Sequence, residues 1–204
     1  ASASGENIMP ASIAAAKAGV TTGEWAGVMR IAHGEYRGPT GVSRSISNKT
    51  EGLEDIRTAV DLVSDKLGRR LKFLMGKPGL DGHSNGAEQI AFRAGDCGME
   101  IDYAVNRLTP EEIVSAAREG DAHVIGLSIL SDSHIPLIEE VMRRIRSEGL
   151  GHIPVVVGGI IPEEDAENLQ KMGVANVYTP KDFELNRIMM DIVSLADQKQ
   201  IAAE

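Results

Sequence analysis

From residue 71 onward, short apolar runs alternate with amphipathic stretches, and the two periods predict strands alternating with helices. The strand candidates are 71–75, 99–103, 123–129, 153–158 and 175–178; the helix candidates are 86–95, 110–118, 134–147, 162–172 and 183–196. In the fourth strand, Val155-Val156-Val157 is apolar on both faces, as a central parallel strand must be. The helix over 134–147 shows its pattern most clearly. Leu137, Ile138, Val141, Met142 and Ile145 form one stripe, and Glu139–Arg143 and Glu140–Arg144 fall at i,i+4 spacing on the solvent side. Asp182 stands where it can cap the last helix, whose stripe is Leu185, Ile188, Met189 and Ile192. Five βα units in this arrangement predict an α/β fold: a flavodoxin-like, Rossmann-like five-stranded parallel sheet of order 2-1-3-4-5.

The first 70 residues lie outside that alternation. Residues 6–18 look helical, with Gly19 placed to end the helix. Thr21 and Glu24 have capping-box spacing ahead of a second helix that carries Trp25, Val28, Met29 and Ala32 and ends near Gly34. Residues 37–50 are rich in Gly, Ser and Pro and read as a linker. A third helix over about 51–67 aligns Leu53, Ile56, Val60, Val63 and Leu67, with Gly68 after it. The expected division is 1–50 as helical segment and linker, and 51–204 as the α/β domain. The chain opens on Ala1, which reads as a fragment or a processed product.

Composition narrows the class. Aromatic content of 3% against 42% hydrophobic residues means a core of Val, Ile, Leu, Met and Ala, which suits a buried parallel sheet. A formal charge of −9 argues against nucleic acid and an anionic membrane surface as partners. No apolar run approaches the roughly 20 residues of a membrane span. The single cysteine, Cys97, excludes an internal disulfide framework and fits a reducing, cytoplasmic setting. It falls in a helix-to-strand turn at the wrong end of the sheet for a nucleophile, and the histidines at 33, 123, 134 and 152 form no zinc-type spacing with it.

Candidate chemistry gathers at the carboxyl ends of the strands, where open α/β sheets bind ligands. The loop after the first strand, Lys77-Pro-Gly-Leu-Asp81-Gly82-His83-Ser84-Asn-Gly86, projects an Asp and a His. A carboxylate two residues before a histidine can accept one imidazole N–H and leave the other nitrogen as a ligand or base. Lys77 could pair with Asp81 in turn. Gly82 and Gly86 permit close approach to the backbone. On spacing alone, the loop reads as an ordinary turn rather than as a ligand site. Ser128 and Leu130 end the third strand on one face, able to hold a heteroaromatic ring by a hydrogen bond and a packing contact; Gly158-Gly159 ends the fourth, as room for a ligand or a tight turn. In the expected strand order all three stretches face one crevice at the switch point between strands one and three.

Asp81-x-His83-x-x-Gly86, Ser128-x-Leu130 and Gly158-Gly159, in that order, resemble the signature of the cobalamin-binding domain of B12-dependent enzymes. The resemblance covers about 69–200. The wording around 75–91, 155–165 and 177–190 resembles the carboxyl-terminal part of acyl-CoA mutases, the ethylmalonyl-CoA type first and the methylmalonyl-CoA type next. The first 50 residues resemble the segment leading out of the barrel catalytic domain of those enzymes. The resemblance implies adenosylcobalamin as cofactor, with His83 as the lower cobalt ligand in place of the dimethylbenzimidazole tail (base-off, His-on) and Asp81 and Lys77 tuning its imidazole. Asp81, Gly82, His83, Ser84 and Gly86 would contact the cofactor. Ser128 would hydrogen-bond the displaced benzimidazole, Leu130 would pack on it, and Gly158 and Gly159 would make room. It also implies a radical carbon-skeleton rearrangement of an acyl-CoA. The partner would be a TIM-barrel mutase catalytic domain or subunit, through which the acyl-CoA is met; a homodimer is compatible. With no such barrel here, this segment alone is expected to be inactive, and no catalytic residue is expected in it. A corrinoid carrier of a methyl-transfer system is the alternative. Asp132 stands where a glycine is usual in relatives and could disturb the tail pocket, and Val105-Asn106 also departs from their pattern.

Overall fold

A computed structural model describes residues 6–34, 52–80, 85–103, 108–131, 133–182 and 184–201, the last three without their side chains. The chain divides into two compact units, Ala1–Asn48 and Lys49–Glu204.

In the first unit, α1 (Met9–Lys17) and α2 (Thr22–His33) are joined by a tight turn. Gly19, at φ 87°, ends α1; the N–H groups of Gly19 and Val20 reach back to the carbonyls of Ala16 and Ala15. The expected capping box is formed: Thr21 accepts from the Glu24 N–H, and Glu24 accepts from the Thr21 N–H. The linker expected over 37–50 lies outside the described residues.

The second unit is a parallel sheet of order β2-β1-β3-β4-β5, as its alternation predicts. Its strands are β1 (Lys72–Gly76), β2 (Glu100–Tyr103), β3 (Val124–Ile129), β4 (Val155–Gly159) and β5 (Asn176–Tyr178). Its helices are α3 (Leu53–Leu67), α4 (Asn85–Asp96), α5 (Pro110–Glu119), α6 (His134–Ser147), α7 (Glu163–Lys171) and α8 (Leu185–Ile201). Helices α3, α4 and α8 cover one face, packing on Phe73, Met75, Val124 and Val156. Helices α5, α6 and α7 cover the other, packing on Leu74, Ile125, Leu127, Ile129, Val155 and Val157. Alternation along β3 and β4 therefore sends odd-numbered residues to one layer and even-numbered residues to the other. The first of these helices, α3, completes the α8 layer, so the third sequence-predicted helix belongs to the α/β unit.

Two local expectations are corrected. Arg143 pairs with Glu140 at 2.7 Å, not with Glu139, so Glu140 serves both Arg143 and Arg144. These two arginines hold the Glu140 carboxyl down at about 2, the Arg143 hydrogen bond first. Asp182 does not cap α8: its Oδ2 accepts from the Thr179 N–H at 2.9 Å and the Thr179 hydroxyl at 3.2 Å, closing the turn that leaves β5. The first α8 carbonyl bonds come from Glu184 instead.

Candidate functional site

β3 and β4 lie side by side with Ser128 opposite Gly158 and Ile129 opposite Gly159. On the α4/α8 face these two strands present Val124, Gly126 and Ser128 beside Val156 and Gly158. The row starts bulky and ends small toward the carboxyl ends. Above the small end is a cavity of about 410 Å³, within the size range of small-molecule sites. It is lined by Gly86 from α4, Ser128 and Leu130 from the end of β3, and Gly158 and Gly159 from β4; Tyr178, Asp182 and Ile188 close the far side. The sequence places the crevice between the first and third strands; the cavity reaches further, across β4 to the β5–α8 turn.

The glycines have separate roles. A Cβ at Gly158 would meet nothing within 4 Å, so the position keeps cavity space open. A Cβ at Gly159 would fall 1.8 Å from the Ile129 carbonyl oxygen, so this glycine lets β4 lie against β3. A Cβ at Gly126 would strike the Phe73 ring at 2.5 Å; sequence reading passed over it as a site residue, although a glycine inside an apolar strand signals close approach.

The Ser128 side chain is only 7% exposed and lines the cavity. Among the described residues its hydroxyl has no hydrogen-bond partner. The hydroxyl faces the cavity with its donor unused, so a ligand acceptor there would gain a hydrogen bond without breaking one in the protein. A largely apolar cavity with a hydroxyl donor at one end and a missing side chain in its floor fits a flat, apolar ring that carries an acceptor atom.

At the far wall, the Tyr178 hydroxyl donates to Asp191 at 3.3 Å and accepts from Asn176 at 3.1 Å. Burial above all, with the nearby Asp191 and Asp182 carboxylates adding to it, pushes this phenol up to about 12, so it stays protonated. On the opposite face of the sheet, His134 opens α6 almost fully buried; its Nε2 lies 2.9 Å from Asp165 of α7 and its Nδ1 3.3 Å from the Ser131 carbonyl. This pair ties the chain after Leu130 to the helix after Gly159, bracing the two strand ends that floor the cavity.

Of the other sequence-predicted residues, Lys77 follows β1 and is 1% exposed. Asp81, Gly82, His83 and Ser84 lie outside the described residues, as do Asp132, Val105 and Asn106. Cys97 is buried after α4, and burial pushes its thiol up, as expected of a core residue. Among the described residues no cluster of His, Cys, Asp and Glu could hold a metal, and no helix is long and apolar enough to cross a membrane.

Residues 71–182 match the family described as B12 binding domain. The whole chain is 68% identical to an ethylmalonyl-CoA mutase of Cereibacter sphaeroides, of which it covers 31%. Over 199 residues, 97% of the chain, it is 55% identical to an ethylmalonyl-CoA mutase of Methylorubrum extorquens, of which it covers 29%. The chain thus spans about a third of the length of these relatives. A crystal structure of a cobalamin-binding protein from Desulfitobacterium hafniense DCB-2 shares the fold at a TM-score of 0.54, with 19% identity over 76% of each chain.

Proposed function

The chain belongs to the B12-binding domain family, and we propose that it holds adenosylcobalamin base-off, with the His83 imidazole as lower cobalt ligand, for a mutase of the ethylmalonyl-CoA type. One observation carries the reading: the unpartnered Ser128 hydroxyl and the open space over Gly158 meet in one apolar cavity at the carboxyl ends of β3 and β4. The dimethylbenzimidazole tail of cobalamin is a flat apolar bicycle with a ring nitrogen acceptor, which is what the cavity suits.

In this reading Ser128 donates to the ring nitrogen, Leu130 packs on the ring, Gly158 leaves it room, and Gly159 keeps β4 close against β3 at the same strand end. With the tail held in the cavity, His83 would hold the cobalt. Asp81 would accept the imidazole N–H on the nitrogen away from the cobalt and so fix the tautomer, with Lys77 behind it. Gly82, Ser84 and Gly86 line the cofactor's approach. Bound adenosylcobalamin supplies a cobalt–carbon bond whose homolysis starts a radical carbon-skeleton rearrangement of an acyl-CoA. This chain contributes binding and orientation. The reacting groups belong to a TIM-barrel domain or subunit beyond it, and residues 1–50 lead from that part. Similarity to mutases over the full chain favours this reading over a corrinoid carrier. A reducing, cytoplasmic setting agrees with the single free Cys97.

Titration of the chain with hydroxocobalamin, followed by visible absorbance, tests the proposal. The expected result is conversion to a base-off, His-ligated spectrum that His83→Ala abolishes. A base-on spectrum, or one unaltered by His83→Ala, contradicts it.

A further inference from the structure

Resting on that reading of the cavity, we propose that Asp182 reads the sugar of the nucleotide tail: its carboxylate accepts a hydrogen bond from a ribose hydroxyl. The cavity wall is apolar apart from a few hydroxyl and amide groups, and Asp182 is the one carboxylate among its described lining residues. The side chain is fixed before any ligand arrives. Oδ2 accepts from the Thr179 N–H at 2.9 Å and hydroxyl at 3.2 Å, and the Asp182 N–H donates back to the Thr179 carbonyl at 2.8 Å. The Thr179 hydroxyl also accepts from the Lys181 N–H at 3.3 Å, so the turn is closed on itself. Both Thr179 bonds use one carboxylate oxygen. Among the described residues, Oδ1 has no hydrogen bond.

A carboxylate with a spare oxygen beside an apolar cavity selects for a donor. The tail offers three kinds of group. Its base carries methyl groups and a ring nitrogen but no N–H. Its phosphodiester is an anion and is repelled by Asp182. Its ribose carries free hydroxyls, which are the only donors of the three. Ser128 and Asp182 therefore divide the work: the hydroxyl donor meets the base, and the carboxylate acceptor meets the sugar. Repulsion of the phosphate makes the second contact directional as well, because it disfavours a tail that enters reversed.

The test is a thermodynamic cycle on the full chain, read by absorbance titration. The ligands are hydroxocobalamin, hydroxocobalamin O-methylated at its free ribose hydroxyls, and aquocobinamide, which lacks the nucleotide. The proteins are wild type, Asp182→Ala and Asp182→Asn, the asparagine keeping an oxygen for the Thr179 N–H. Asp182→Ala is expected to weaken hydroxocobalamin about tenfold, as loss of a hydrogen bond to a charged group does, and to leave cobinamide unchanged. O-methylation is expected to cost wild type about tenfold and to cost either variant almost nothing further. Equal methylation penalties in wild type and both variants overturn the assignment, and identify Asp182 as a turn-closing residue only. A wild-type chain that binds cobalamin no better than cobinamide overturns the cavity reading itself, and the assignment with it.

Discussion

The two faces of the sheet are cut from the same strands and packed to opposite ends. Toward α5, α6 and α7, β3 and β4 present Ile125, Leu127, Ile129, Val155 and Val157, all nearly inaccessible. Toward α4 and α8, the same strands present Gly126, Ser128 and Gly158 where the cavity opens. The first layer is filled by branched side chains and carries stability. The second is left unfilled at one end and carries the candidate site. A binding cavity is thus made by leaving side chains out of one register position in two, while the other positions keep the sheet closed-packed.

The largest effect that could break this division is on the filled face. Ile125→Ala should lower unfolding stability by about 3 kcal/mol, measured by denaturant titration, because it leaves a cavity in a dry core. Cobalamin affinity of the native protein should not change; a matching loss of affinity would mean that the two faces are not separable. On the open face the outcome should invert. Gly158→Leu puts a side chain where a Cβ meets nothing, so cobalamin binding should fall at least about 100-fold while stability holds or rises. Retained tail binding in that variant would remove the cavity from the account. Smaller is Ser128→Ala, which should weaken cobalamin about fivefold, in line with one neutral hydrogen bond, and leave cobinamide unaffected. Smallest is a pH effect at the far end of the sheet. His123 accepts from the Lys72 N–H at 2.8 Å, and burial first, then Arg69, lowers its proton affinity. As pH falls below its ordinary 6.5, the unfolded chain takes up a proton that folded His123 resists, so stability declines. His123→Gln should flatten that decline, with no effect on cofactor affinity at neutral pH.

Much of the fold is legible because the two periods are unambiguous. Val155–Val157 has no solvent face to hide, and α6 begins and ends where its stripe and its polar flank say. The ends of β3 and β4 are legible for a different reason: they are carried by local motifs, Ser128-x-Leu130 and Gly158-Gly159, whose positions in the strand order bring them to one cavity. The far wall is not local. Tyr178 and Ile188 reach the cavity only because β5 pairs with β4 and α8 lies over the sheet, contacts no window of sequence contains. Asp182 misled for a related reason. Its spacing from Leu185 looks like a helix cap, but Thr179 stands at the same spacing on the other side, and its N–H and hydroxyl take the carboxylate. Arg143 likewise chooses Glu140 at i,i+3 over Glu139 at i,i+4, because both spacings are within reach on a helix surface.

The claim on which the account rests is that the tail leaves the cobalt for the cavity and His83 takes its place. Electron paramagnetic resonance of the chain loaded with cob(II)alamin, with every histidine labelled with nitrogen-15, tests it most directly. Each cobalt hyperfine line is expected to split into a doublet from a nitrogen-15 imidazole, and His83→Ala is expected to remove the doublet. Triplets from the cofactor's own nitrogen-14 benzimidazole would contradict it.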